Sequence, residues 1–173
     1  LNDRVVDYAE KLLATFEDRL DRVFFTNSGS EANELALRVA RQHTGHTGIL
    51  ISDFSYHGNT TSLAELTTGI AVAEPLGAHV RPIRIPDAIA STVDEVKLLE
   101  TALAEVDAAI ASLQAAGHGV SAFLFDSLFS TEGLVVPPAG YVEGVVNRVH
   151  AAGGLVVADE VQSGFGRVGS SMW

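Results

Sequence analysis

Three short stretches carry side chains that could do chemistry together. The first, Asn27-Ser28-Gly29-Ser30-Glu31-Ala32-Asn33-Glu34, places two hydroxyls and a glycine ahead of a helix-forming run. A helix start leaves backbone N–H groups free, and glycine lets an anion come close to them, so the stretch can cradle a phosphate. The same residues also spell a capping box, with Ser28 as cap and Glu31 as its partner. Spacing alone does not choose between the two. The second stretch, Tyr56-His57-Gly58, offers a ring that could stack on a flat ligand, or only an aromatic pair in a loop. The third, Asp159-Glu160, ends the apolar run 155–158. A carboxylate there is costly to desolvate unless it is paired. A turn or cap acid, a metal ligand and a partner for a protonated ring nitrogen all fit it.

Other chemistries fail on residue type or spacing. The chain has no cysteine, which removes disulfides, thiolate metal sites and cysteine nucleophiles. Its six histidines are scattered, and the one close pair, His43 and His46, flanks a Thr-Gly turn expected to be solvated. No nucleophile elbow, Walker loop or H-E-x-x-H stands in the sequence. Gly164-Phe165-Gly166-Arg167-Val168-Gly169 matches G-x-G-x-x-G, but residues 159–163 separate it from its strand and no helix opens at it. A dinucleotide site is therefore not expected. Eleven basic against 22 acidic residues give a net charge of −11, which disfavours nucleic acid and anionic membranes as partners. No apolar run reaches the ~18 residues of a membrane span.

The elements that must position these stretches follow from periodicity. Residues 3–20 show helical spacing, 22–26 read as a short strand, and a helix follows to about Arg41. Residues 48–52, 80–85, 121–125 and 155–158 read as strands, with Pro82 marking an edge. Helices are expected over 92–116 and 141–152, the latter stopped by Gly153-Gly154, and a short one over 60–66. Alternating helices and apolar strands predict an α/β fold, a mostly parallel sheet with helices on both faces. Ligands of such sheets bind at the carboxyl ends of the strands, where all three stretches fall.

Together these residues resemble the class III aminotransferases, pyridoxal-phosphate enzymes of the aspartate-aminotransferase fold type. Residues 25–34, with Ala36-Leu37-Arg38 and Ala40-Arg41, carry the match. Tyr56-His57-Gly58 and Asp159-Glu160-Val161-Gln162-Ser163-Gly164-Phe165-Gly166-Arg167 complete it. The resemblance covers nearly the whole chain and corresponds to the middle of a family member. It implies a partial large, cofactor-binding domain over 1–173. The N-terminal segment, the Schiff-base lysine segment and the small C-terminal domain would lie outside it. The resemblance implies pyridoxal 5'-phosphate as cofactor. Gly29 and Ser30 would hold its phosphate, Tyr56 would stack on its ring with His57 beside it, and Asp159 would pair with the protonated ring nitrogen. Val161 would lie on the other ring face and Gln162 near the phenolic oxygen.

The implied activity is transfer of an amino group between an amine or amino acid and an oxo acid or aldehyde, with a homodimer as the working unit. The only lysines, Lys11 and Lys97, precede Asp159 and match no family motif, so this chain alone is expected to be inactive. Residues 126–133 depart from the family's Glu-Pro-x-x-Gly-x-Gly-Gly, and Thr131 stands where dual-substrate members place a gating glutamate. That leaves room for phospho-lyases of amino-alcohol phosphates, and for a non-catalytic relative that only binds. The acidic, cysteine-free composition gives a cytoplasmic location as the expectation.

Overall fold

The structure is a computed structural model that describes residues 2–169 and 171–173. Five helices and four strands alternate along the described residues: α1 (Asp3–Leu13), α2 (Gly29–Thr44), β1 (Ile49–Ser52), α3 (Thr61–Ala64), β2 (Val80–Ile83), α4 (Glu95–Ala115), β3 (Ala122–Asp126), α5 (Tyr141–Ala151) and β4 (Leu155–Asp159). All strand pairs are parallel, in the order β2-β1-β3-β4. The chain runs from β1 to one side and then returns to the other side for β3. The order therefore reverses between β1 and β3, and a crevice opens at their carboxyl ends.

Strand alternation sends successive side chains to opposite faces, and each face has its own core. Leu50, Ile83, Phe123 and Phe125 pack with Val106, Leu113, Tyr141 and Val145 of α4 and α5. Ile49, Ile51, Ala122 and Leu124 pack with Leu37 and Ala40 of α2 and with Leu63 and Leu66. The expected α/β architecture with helices on both faces is what forms. Each fully buried aliphatic or aromatic side chain contributes roughly 1.5–3 kcal/mol, which is what fastens the helices to the sheet.

Capping sets most helix ends. Asp94 accepts from the Val96 and Lys97 N–H groups, so α4 begins at residue 95 rather than 92. Gly45, at φ 70°, closes α2. Pro82 lies on β2, at one edge of the sheet, where a missing N–H is tolerated.

Three expectations fail. Residues 22–26 form no strand: they have no ladder partner among the described residues, and Phe24 is 71% exposed. Strand-forming residues need a neighbouring strand as much as propensity. The first helix stops at Leu13 instead of Leu20. There the Thr15 hydroxyl donates to the Leu12 carbonyl at 2.6 Å, and Phe16 leaves to stack on Trp173 at 4.5 Å. Finally, β4, the most apolar strand by sequence, is an edge strand among the described residues and only half-buried.

Burial and the neighbouring Arg41 and His118 hold His79 below the ordinary histidine value, against the opposing pull of Glu65. A depressed histidine binds its proton more weakly folded than unfolded. Its stabilisation is complete above the unfolded pKa of about 6.5 and is lost as pH falls below it towards the lower folded value. Urea melts should show a loss of stability below pH ~6.5 that is smaller in His79→Gln. A second test is Gly48→Ala. A Cβ at Gly48 would lie 2.0 Å from the Gly119 carbonyl oxygen, so the melt should show a loss of about 1–3 kcal/mol.

Candidate active site

A cavity of about 200 Å³ lies at the carboxyl ends of β1, β3 and β4. It is lined by Gly29, Ser30, Tyr56, His57, Asp159, Val161 and Gln162, with Gly58, Asp126, Ser130 and Thr131. All seven residues singled out from sequence thus meet around one space. Lys11 and Lys97 do not line it. His43 and His46 are exposed, and among the described residues no group of three acids or histidines could hold a metal. The Gly164–Gly169 stretch is a run of turns with no helix opening at it, as its displacement from β4 required.

The start of α2 is capped by its own side chains and leaves backbone donors free. Ser28 caps it, its hydroxyl accepting from the Glu31 N–H at 3.2 Å. Glu31 reaches back one residue further than a capping box requires and accepts from the Asn27 N–H at 2.6 Å. The Gly29 and Ser30 N–H groups have no acceptor among the described residues. They are the free donors of the helix start, and both residues line the cavity. The Ser30 hydroxyl is otherwise engaged: it donates to Asn59 Oδ1 and accepts from the Asn59 N–H, both at 3.1 Å. The backbone, more than the hydroxyls, is what an anion would meet.

Small residues make the approach possible. A Cβ on Gly58, whose φ is 138°, would lie 2.5 Å from Ser30 Oγ and 2.9 Å from Ser30 Cα. A Cβ on Gly29 would lie 2.8 Å from Val161 Cγ2. The segments leaving β1, β3 and β4 each hold an aromatic residue at positive φ: Phe54 at 64°, Phe129 at 48° and Phe165 at 59°. Such strain, about 1–3 kcal/mol per residue, gathers where a site is held in shape by its surroundings.

Asp159 is the charged centre. Its Oδ2 accepts from His57 Nδ1 at 2.9 Å and from Asn33 Nδ2 at 2.8 Å. Its Oδ1 accepts from the Val161 N–H at 3.1 Å. Burial pushes the carboxyl up, but hydrogen bonds from His57, Val161 and Asn33, with the His57 charge, outweigh burial and hold it below its ordinary value. Glu160 points away from the cavity, and burial raises its carboxyl. Beside Asp159 in register stands Asp126, whose Oδ1 accepts from the Leu128 N–H and whose Oδ2 accepts from Ser130, backbone and hydroxyl. Asp126 shapes its own loop and presents Ser130 and Thr131 to the cavity. Thr131, not Glu132, occupies the wall there.

An ionised acid, a free pair of helix N–H groups and an exposed tyrosine ring around one cavity suit a flat, anionic, nitrogen-bearing ligand. A class-III aminotransferase family model matches residues 1–173. The chain belongs to the aminotransferase class-III family. Its fold overlays a phospholyase from Arthrobacter in complex with phosphoethanolamine with a TM-score of 0.96 and 74% identity, over 100% of this chain and 41% of that one. It overlays a PLP-bound amine transaminase from an uncultivated Pseudomonas species at 0.84 and 29% identity, over 96% and 40%. An alanine–glyoxylate aminotransferase 2-like protein of Drosophila melanogaster is 38% identical over 100% of this chain and 37% of its own length. This class-III chain therefore spans about two fifths of the relatives it matches.

Sequence reasoning did not single out Asn33 or Asp126 as parts of this site. Asn33 carried a signal, since a polar residue shares the buried α2 stripe of Leu37 and Ala40 at i+4 and i+7 spacing. Asp126 lay one residue past the expected end of its strand, so its place beside Asp159 was hidden. Because Asp159 is held low, its stabilisation is present above the unfolded value of about 3.9 and is lost as pH falls through the lower folded value. Acid unfolding followed by circular dichroism should be shallower at that limb in Asp159→Asn, whose stability at pH 7 should already be lower.

Proposed function

We propose that this chain is part of the large, cofactor-binding domain of a pyridoxal-phosphate enzyme acting on a small primary amine. The observation that carries the proposal is the convergence on one cavity of the free Gly29 and Ser30 N–H groups and the Asp159 carboxylate. The two N–H groups would bind the phosphate at the positive end of α2. Asp159 Oδ1, with one lone pair left beyond the Val161 bond, would accept from the ring N–H. Tyr56 would stack on the ring, Val161 would pack against it, and Gln162 would meet the phenolic oxygen. When bound, the cofactor would supply an electron sink for the negative charge that develops on the substrate carbon bearing the amine. By holding its own charge, Asp159 keeps the ring nitrogen protonated.

Of the two reactions open to such a site, loss of phosphate from an amino-alcohol phosphate is favoured by the 74% identity to the Arthrobacter phospholyase. Amino transfer from an amino donor to an oxo acceptor is the second reading, favoured by the amine transaminase and the Drosophila relative. With no lysine in the cavity, this chain alone would bind the cofactor without turning over. The full protein would work as a homodimer, a reading supported by apolar side chains left exposed on α1 and beside it, Val5, Tyr8, Phe24 and Phe25. Its acidic, cysteine-free composition suits the cytoplasm.

The test is made on the full-length protein with phosphoethanolamine and no oxo acid. Sustained release of inorganic phosphate supports elimination. Turnover that waits for an oxo acid, with no phosphate released, assigns amino transfer instead. Neither activity with either substrate set, in protein loaded with cofactor, would overturn the assignment as an enzyme.

A further inference from the structure

We infer that Asn33 is a positioning residue, which holds the Asp159 carboxylate and the Tyr56-His57 loop in one fixed arrangement. The inference rests on the cofactor reading for its purpose but on geometry alone for its content.

Asn33 is 5% exposed and lies one turn into α2, just past the free N–H groups of the helix start. Its Nδ2 makes two bonds, to the His57 carbonyl at 2.9 Å and to Asp159 Oδ2 at 2.8 Å. Both partners are acceptors only, so the orientation of the amide is forced and both of its protons are used. A single amide group therefore ties together three elements: α2, the loop after β1 and the end of β4. No other described side chain bonds both of the last two, apart from His57 itself.

The bond to Asp159 also decides which oxygen faces the ligand. Oδ2 accepts from Asn33 and from His57, which uses both of its lone pairs. Oδ1 accepts only the Val161 N–H and keeps one lone pair. Without Asn33 the carboxylate keeps the His57 and Val161 bonds but loses its second anchor on Oδ2, which loosens the restraint on χ2 that assigns the two oxygens to their places. His57 cannot replace the anchor. Its Nε2 is buried with no partner among the described residues, and its one bonded ring nitrogen is already on Asp159. Asparagine is also a poor choice for a helix interior on propensity alone, and at this position it replaces an apolar residue in the stripe that Leu37 and Ala40 continue. Both amide protons are engaged at this buried position, which fits a role in aiming a charge.

The experiment uses full-length protein, first without cofactor. In the unmodified protein, nitrogen-edited NMR should show both Asn33 side-chain amide protons protected from exchange, and a hydrogen-bonded His57 Nδ1 proton far downfield. In Asn33→Ala with an unchanged circular-dichroism spectrum, the His57 proton should move upfield or be lost to exchange. Pyridoxal phosphate should then bind about tenfold more weakly, the equivalent of one hydrogen bond to a charged group. In Asn33→Asp, an isosteric change that sets a second carboxylate against Asp159, the loss should be larger at pH 7 and partly recovered at acid pH. A His57 signal and an affinity unchanged in both variants would overturn the inference. So would freely exchanging Asn33 amide protons in the unmodified protein, a measurement that needs no variant to fold. If the unmodified protein fails to bind pyridoxal phosphate, the cofactor reading falls, and the NMR arms still decide the role of Asn33.

Discussion

A carboxylate at the end of an apolar strand is unstable unless donors surround it, and much of the site's architecture serves that requirement. Strand β4 carries Asp159 to the rim of the sheet, where burial alone would drive its proton on. Three donors from three elements oppose this: the His57 ring from the loop after β1, the Asn33 amide from α2, and the Val161 N–H from the turn after β4. The same three bonds that keep the charge also hold those elements at their working distances. Electrostatics and tertiary placement are here one constraint, so the site is rigid where its chemistry needs a fixed negative charge.

The opposite charge requirement is met by backbone. The helix dipole and the Gly29 and Ser30 N–H groups, unpaired among the described residues, give the cavity a positive rim, while Asp159 gives it a negative floor. A ligand with a phosphate at one end and a protonated nitrogen at the other matches both. Glycine at 29 and 58 keeps the rim open, because a side chain at either would press on Val161 or Ser30. The reversal of strand order between β1 and β3 makes the crevice in which these groups can converge.

The sequence made much of this legible, for identifiable reasons. Parallel strands buried on both faces read as unbroken apolar runs, so β1 and β3 could be placed within a residue or two, and β4 has the same apolar run although it is only half-buried. Gly29 and Asp159 stood at a helix start and a strand end, and Tyr56 in the loop after β1, where unusual residue types are conspicuous. What could not be read depended on partners distant in sequence. Residues 22–26 have the composition of a strand, but no neighbouring strand pairs with them among the described residues. Leu13 ends α1 because Phe16 stacks on Trp173, 157 positions later. Asn33 looked like an ordinary member of a helical motif until its bond to Asp159, 126 residues away, gave it a purpose. The hydroxyls of Ser28 and Ser30 looked like ligand donors and prove to be occupied in part by the frame itself.

The central claim is that an ionised Asp159 faces a protonated ring nitrogen. The most direct test compares the affinity of the full-length protein for pyridoxal phosphate and for its 1-deaza analogue, which has carbon in place of that nitrogen. The account predicts that the analogue binds at least about tenfold more weakly, the loss of one charge-assisted hydrogen bond, and that Asp159→Asn abolishes the difference. Equal affinities for the two compounds in the unmodified protein would contradict it.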